Sequence, residues 1–144
     1  MIVLDTTVLV YATGTTHRLR EPCRRLVDAV SRGDVEATTT VEVIQEFVHV
    51  RARRRSRADA ADLGAAYAEL LAPLLPVTAE ELLGGLRLYR DTVRLGAFDA
   101  VLAAAALAVP VDALVSADTA FAAVPGLRQV VPDEPSVDQL LQRW

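Results

Sequence analysis

Short runs of apolar residues alternate along this chain with longer segments in which apolar residues recur at helical spacing. Short runs of this kind are typical of parallel strands, which carry apolar side chains on both faces. The predicted strands are residues 2–4, 35–40, 113–115 and 129–131. The predicted helices are residues 21–30, 41–50, 60–75, 80–95 and 98–108, followed by a short terminal helix capped by Ser136. This alternation predicts an α/β fold with a parallel sheet between layers of helices.

Length, charge and cysteine content narrow the class of protein. A chain of 144 residues predicts one domain over residues 1–144. Its net charge of −4 argues against binding to nucleic acid by bulk electrostatics, so any such contact must be local. The single cysteine, Cys23, and the lack of a signal pattern predict a reducing, cytoplasmic location. The longest uncharged apolar run, residues 100–111, is too short to span a membrane.

The basic residues also carry information, because all fifteen are arginines and the chain contains no lysine. P-loop proteins need a lysine for the β- and γ-phosphates. Receiver domains and haloacid-dehalogenase-type phosphatases place a lysine beside the catalytic aspartate. The composition therefore argues against all these classes.

Acidic residues stand at the ends of two predicted strands. Asp5 follows residues 2–4, and Asp118 lies shortly after residues 113–115. Because ligands of parallel α/β sheets bind outside the carboxyl ends of the strands, both acids are candidates for a site. Carboxylates are suitable ligands for Mg²⁺ or Mn²⁺. The alternative is that Asp5, Asp118 and Asp99 are turn residues or helix caps.

Four segments occur in the order and setting of the PIN domain, and the chain resembles that family, in particular VapC-type toxins of toxin–antitoxin pairs. The segments are IVLDTT at 2–7, VIQEF at 43–47, FDAVLAA at 98–104 and SADTAF at 116–121. The resemblance implies a three-layer α/β/α sandwich with a central, mostly parallel sheet. It also implies an endoribonuclease that uses Mg²⁺ or Mn²⁺ and leaves a 5′-phosphate and a 3′-hydroxyl. The implied catalytic and metal-binding carboxylates are Asp5, Glu46, Asp99 and Asp118.

The same resemblance implies an RNA substrate, a homodimer and a small cognate antitoxin. One alternative is a housekeeping PIN nuclease that processes RNA without an antitoxin. Another is a catalytically silent module that binds RNA or protein, but such a module has no reason to keep mutually repelling carboxylates together. Catalysis by two imidazoles is the weaker mechanism, because neither His17 nor His49 lies in a recognisable catalytic motif.

Several residue-level alternatives remain open. Glu42 competes with Glu46, because residues four apart share a helix face. The family pattern favours Glu46, and the helix dipole explains Glu42 in the first turn. Thr6 and Ser116 are expected to donate hydrogen bonds to ligating carboxylates, or else simply to satisfy turns.

A dense arginine cluster at residues 51–57 has two interpretations. It could hold RNA phosphates beside an acidic site, or it could be a solvated helix end whose cations suit the dipole. The candidate RNA-binding residues are Arg51, Arg53, Arg54 and Arg55. Tyr67 and Tyr89 are predicted to be core or interface residues, and Trp144 is a candidate for a subunit or partner surface.

Overall fold

A computed structural model describes residues 1–143, so Trp144 lies outside the described residues. The strands are β1 (Ile2–Leu4), β2 (Ala37–Thr38), β3 (Ala113–Val115) and β4 (Gln129–Val130). They form a parallel four-stranded sheet in the order β2-β1-β3-β4. The helices are α1 (Thr6–Thr13), α2 (Arg20–Ser31), α3 (Val41–Ala52), α4 (Arg57–Leu70), α5 (Ala79–Asp91), α6 (Ala97–Leu107), a 3₁₀ helix (Thr119–Ala123) and α7 (Glu134–Leu141). The predicted α/β/α sandwich with a parallel sheet is confirmed.

The two central strands form the middle of the core. Every side chain of β1 and β3 is buried, as expected for strands covered on both faces. Burial of each large aliphatic side chain stabilises the fold by roughly 1.5–3 kcal/mol. The register pairs Leu4 with Val115, so Asp5 and Ser116 follow neighbouring strands at the same level. The backbone N–H of Asp5 donates to the carbonyl of Val115 at 3.0 Å, which extends this pairing to the strand end.

Helix α1 was not predicted, because residues 6–10 are mostly β-branched and resemble a strand. The chain nevertheless turns into a helix directly after Asp5, whose side chain accepts from the backbone N–H of Thr7. Val8 and Leu9 are completely buried by the turn. Tertiary packing of these side chains outweighs the weak helical preference of the segment. The result places Thr6 and Thr7 beside the ends of the central strands.

Several boundaries differ from the predicted ones. Helix α4 ends at Leu70, not at residue 75, because the following segment pairs with the strand edge: the N–H of Leu75 donates to the carbonyl of Thr39 at 2.8 Å. The strand predicted over residues 35–40 shortens to β2. The prediction that Ser136 caps the terminal helix is wrong, because Asp133 is the cap and accepts from the Ser136 N–H.

The two tyrosines predicted to be core or interface residues have different environments. Tyr67 is buried, packs edge-to-face on Phe47 with ring centroids 5.1 Å apart, and has its pKa raised to about 12 by that burial. Tyr89 is half-exposed and is not a core residue. Cys23 is a buried free thiol, and burial raises its pKa to about 12. Within residues 1–143, no helix has the length and apolar character needed to cross a membrane.

Helices α5 and α6 pack with almost no space between their backbones at one point. A Cβ on Gly85 would lie 2.7 Å from the Cα of Val101 and 2.9 Å from its backbone N. The neighbouring Gly84 is different, because its nearest non-local atom would be the Cβ of Ala104 at 3.5 Å, an ordinary contact. Gly85 therefore sets the separation of the two helices.

We expect Gly85→Ala to lower the free energy of unfolding by about 1–3 kcal/mol, because the added methyl group forces α5 away from α6. Gly84→Ala is the matched control and should raise that free energy by about 0.5–1 kcal/mol through helix propensity. Urea unfolding of both variants measures the difference. Equal effects of the two substitutions would contradict the close approach at Gly85.

Candidate active site

Asp5 lies at the junction of β1 and α1 and is only 3% exposed. Its Oδ2 atom accepts from the hydroxyls of Thr7 and Ser116, each at 2.7 Å, and more weakly from the Thr7 N–H at 3.4 Å. These bonds hold the carboxylate in one orientation, since hydrogen bonds to an ionised oxygen are strong and directional. They also compensate for its burial.

Ser116 and Thr7 link Asp5 to the end of β3. The Ser116 hydroxyl, which is completely buried, accepts from the N–H of Asp118 at 2.9 Å while donating to Asp5. The Thr7 hydroxyl accepts from the N–H of Ala117 at 3.0 Å. No contact of Thr7 was predicted from the sequence. Its side chain comes close to Asp5 and to the end of β3 only because α1 begins directly after Asp5.

Glu46 projects from α3 toward the first turn of α1. Its Oε2 atom accepts from the buried Thr6 hydroxyl at 2.6 Å. The hydrogen bonds expected from Thr6 and Ser116 to carboxylates are thus present, whereas their role in a metal site stays a prediction. Glu42 lies one turn earlier on α3 and is exposed. The contact with Thr6 and the electrostatic effect on Asp99 both involve Glu46.

Asp99 occupies the first turn of α6 and is partly buried. Burial raises its pKa to about 6, with further contributions from the charges of Asp5, Asp118 and Glu46, in that order. Carboxylates interact in this way only when they are close, so α6 brings Asp99 to the acids of the other segments. The preceding Phe98 does not add to this burial, because its side chain is 82% exposed.

Asp118 completes the group of acids and is itself exposed. Its Oδ1 atom accepts from the N–H of Ala120 at 2.8 Å and so caps the 3₁₀ helix. Asp5 and Asp118 therefore do cap helices, as the alternative predicts. Capping does not explain, however, why the acids converge. We call the four residues the acid cluster: Asp5, Glu46, Asp99 and Asp118.

The acid cluster has the donor chemistry of a hard divalent cation. Mg²⁺ takes oxygen ligands, uses one or two carboxylates and keeps several waters. Within residues 1–143, every hydrogen bond that the Asp5 carboxylate accepts goes to Oδ2, which leaves Oδ1 for another partner. No group of three or more His, Cys, Asp or Glu side chains in that part of the chain is spaced to hold a metal ion by itself. It is the oxygen-donor chemistry of the cluster that fits a hydrated divalent cation.

Two depressions lead away from the acid cluster. The first, which we call the apolar groove, has a volume of about 610 Å³ and runs between α3, α5 and α6. Its distinctive lining residues are Glu42, Val43, Val77, Leu82, Leu86, Phe98, Val101 and Leu102. The second, which we call the polar cleft, has a volume of about 520 Å³ and follows α1 to the end of α3. Its distinctive lining residues are Thr7, Tyr11, Thr15, Thr16, His17, Val50 and Arg54.

The arginine cluster divides into two kinds of residue. Arg51 forms a two-bond ion pair with Asp59, at 2.6 and 3.2 Å, and donates to the carbonyl of Thr13 at 2.9 Å. Its contacts thus link α1, α3 and α4 and do not support the predicted role in RNA binding. Arg53, Arg54 and Arg55 are exposed, and of these only Arg54 lines the polar cleft.

Comparison with known proteins agrees with the geometry. A family model described as PIN domain matches residues 2–127. The chain therefore belongs to the PIN-domain family. It is also 52% identical, over 98% of its own length and 98% of the relative's, to "Ribonuclease VapC7" of Mycobacterium tuberculosis (strain ATCC 25618 / H37Rv). The predicted resemblance to VapC-type PIN proteins is confirmed.

The raised pKa of Asp99 makes stability depend on pH. Because the folded protein binds this proton more tightly than the unfolded chain, the contribution of Asp99 to stability falls as pH rises from about 3.8 to about 6. In EDTA, we expect Asp99→Asn to match the wild type near pH 4. Above pH 6 the variant should be more stable by roughly 1–2 kcal/mol, after solvent screening of the partly exposed group.

Thermal or urea unfolding across this pH range measures the effect. Asp91→Asn is the matched control, because Arg90 lowers the pKa of that surface carboxyl and the opposite sign is expected. An Asp99→Asn protein less stable than the wild type at neutral pH would show that burial and like-charge repulsion do not make the ionised Asp99 costly to the fold.

Proposed function

We propose that this protein is a VapC-type endoribonuclease that hydrolyses RNA at the acid cluster with Mg²⁺ or Mn²⁺ bound there. Ribonuclease function is supported by membership of the PIN family and by the relative named as a ribonuclease. The observation that carries the assignment of the site is that acids from four chain segments all line the polar cleft, where their charges add to the effect of burial in raising the pKa of Asp99. A fold has no structural reason to collect these charges.

The four acids of the cluster have different roles in the proposed site. Asp5 and Asp99 would be the main ligands of a cation, since they are the less exposed members of the cluster. Glu46 and Asp118, which are more exposed, would complete the set of oxygen donors. When bound, the cation supplies charge neutralisation and lowers the pKa of a water that attacks phosphorus. The products are a 5′-phosphate and a 3′-hydroxyl.

Thr6, Thr7 and Ser116 act as positioning residues. Their hydroxyls donate to Glu46 or Asp5 and limit the rotation of these carboxylates before the substrate arrives. Such partners of a ligand tune its orientation and its affinity for metal. A catalytically silent binding module would not need this support, so the network favours an enzyme over that alternative.

Activity assays test the site. We expect cleavage of RNA with Mg²⁺ or Mn²⁺ and none with EDTA. Asp5→Asn, Asp99→Asn and Asp118→Asn should each reduce the rate at least about 100-fold, because several kcal/mol of transition-state stabilisation are lost. Glu46→Gln should have a similar effect, while Glu42→Gln, one helical turn away, should keep most of the activity.

The chemical form of the new RNA ends and the pattern of activity among the variants give the outcomes that would contradict the proposal. A 2′,3′-cyclic phosphate at the new end would contradict metal-assisted water attack. Full activity of two of the three aspartate variants would show that the chemistry lies elsewhere. Inactivity of Glu42→Gln with full activity of Glu46→Gln would move the site one turn along α3.

The exposed apolar side chains of α5 and α6 support partners of the kind expected for a toxin. Large exposed apolar surface of this kind marks interaction sites. Leu82, Leu86 and Phe98 line the apolar groove, which we assign to a segment of a small cognate antitoxin. Leu83 and Tyr89 lie outside the groove and are about half-exposed, and we assign them to a homodimer contact. Without an antitoxin, the protein would act as a processing nuclease in the cytoplasm.

The dimer assignment is tested by mass measurement in solution. We expect the wild type to be a dimer and the double variant Leu83→Arg/Tyr89→Arg to be a monomer, because buried guanidinium groups would lack partners. Light scattering coupled to size exclusion distinguishes the two states. Arg87→Glu on the same helix is a control for charge change alone. A monomeric wild type, or a dimeric double variant, would place the contact elsewhere or remove it.

A further inference from the structure

One wall of the polar cleft carries a pair of stacked rings. Tyr11, on α1, and His17, in the loop after it, have ring centroids 4.3 Å apart and planes inclined by only 16°. The His17 side chain belongs to an exposed residue, whereas Tyr11 is partly buried beneath. The outer face of such a pair is a flat aromatic surface, and aromatic surfaces of this kind stack on nucleic-acid bases of any sequence.

The ring pair is fixed in place by hydrogen bonds from the loop. The Leu19 N–H donates to His17 Nδ1 at 3.1 Å, so the other ring nitrogen, Nε2, carries the proton. The Arg20 side chain donates to the carbonyl of Gly14 at 3.0 Å, which ties the loop to α2. Gly14 itself has no room for a side chain, since a Cβ would lie 2.8 Å from the carbonyl oxygen of Val10. The wall therefore exists before any ligand binds.

The lining of the polar cleft also supplies the cation that a phosphate needs. Arg54 lines the cleft from the end of α3 and forms no ion pair within residues 1–143. The neighbouring Arg51 holds the ends of α1 and α3 together through Thr13 and so fixes the distance between the walls. Thr15 and Thr16 add hydroxyls to the rim. A chain of net charge −4 needs such local attraction to bind a polyanion.

We infer that the polar cleft holds the RNA strand next to the scissile phosphate, with one base on the Tyr11–His17 pair and one phosphate at Arg54. The inference rests on the proposed function and assigns a strand path to it. The apolar groove is the other exit from the acid cluster, and four acids line each depression, but only the polar cleft has a cation in its lining. A phosphate backbone entering the apolar groove would therefore meet acidic side chains with no compensating cation.

Binding of RNA without cleavage tests the base platform. The probe is a short fluorescent single-stranded RNA of mixed sequence, titrated with the full chain in EDTA at low salt. We expect His17→Ala to raise the Kd about 10-fold, in the range for loss of one stacked base. His17→Phe should restore most of the affinity, because it keeps an aromatic face. His49→Ala, at an exposed histidine outside the cleft, should leave the Kd unchanged.

The phosphate contact has its own test. Arg54→Gln should weaken binding and reduce the slope of log Kd against log salt by about 0.7, the value for one phosphate of a single strand. Arg53→Gln is the matched control, since Arg53 is equally cationic, exposed and absent from the cleft lining. Equal slopes for the two variants would overturn the assignment of Arg54.

Kinetics with Mn²⁺ separate this inference from the proposed function. His17→Ala should raise KM about 10-fold with kcat nearly unchanged, because the ring contacts substrate away from the reacting atoms. Cleavage by the wild type together with unchanged KM in both His17→Ala and Arg54→Gln would overturn the strand path and leave the ribonuclease function intact. A wild type that binds RNA through His17 but never cleaves it would support the path and refute the proposed chemistry.

Crosslinking locates the strand directly. The probe is an RNA that carries 4-thiouridine next to the cleavage position, bound to the Asp118→Asn protein and irradiated. We expect it to crosslink to the segment of residues 11–20. Attachment to residues 82–102 would place the strand in the apolar groove and would overturn the inference. Thermal unfolding of Arg54→Gln is expected to match the wild type, since Arg54 is exposed. His17→Ala also loses the stacking on Tyr11 and the hydrogen bond from Leu19, so His17→Phe, which keeps a ring, controls for the stacking contribution to stability.

Discussion

The repulsion among four carboxylates at the edge of one sheet is the constraint to which the rest of this structure responds. The parallel register of β1 and β3 puts Asp5 beside the Ser116 segment, and α3 and α6 deliver Glu46 and Asp99 to the same place. Two responses are visible. Hydroxyl donors hold Asp5 and Glu46, while Asp99 retains a proton more strongly than a free carboxyl does. Both limit the cost of like charges in a small volume.

The hydrogen bonds of Thr7 to Asp5 depend on a helix, and not a loop, following β1. Thr7 and Ser116 donate to the same oxygen of Asp5, and each hydroxyl also accepts a backbone N–H from the segment after β3. Thr7 reaches this position only because α1 begins immediately after Asp5. The buried face of α1, with Val8 and Leu9, is thus part of what orients the carboxylate. Core packing and site geometry are the same set of contacts at this point.

The sequence allowed the order of strands and helices to be predicted because buried strands and amphipathic helices leave strong periodic patterns. It also pointed to the four acids that the structure brings together, although the resemblance to a family was needed to choose Glu46 over Glu42, and their catalytic role stays a prediction. Helix α1 and Thr7 were missed for a common reason: β-branched residues favour strands locally, and only tertiary packing makes residues 6–13 helical. The arginines could not be sorted from sequence, since Arg51 differs from Arg54 only in having Asp59 and Thr13 within reach. That one domain spans residues 1–144 stays a prediction.

The two depressions beside the acid cluster have opposite chemistry, and this difference follows from which helices border them. Helices α5 and α6 approach closely at Gly85 and leave leucines and Phe98 facing outward, so their side of the cluster is apolar. The end of α1 and the end of α3 are joined instead by Arg51, which donates to Thr13 and pairs with Asp59. Arg51 thus has its charge balanced by Asp59, whereas Arg54 forms no ion pair within residues 1–143 and lines the cleft. Of the two arginines, the partly buried one joins the helix ends and the exposed one is available to an anionic ligand.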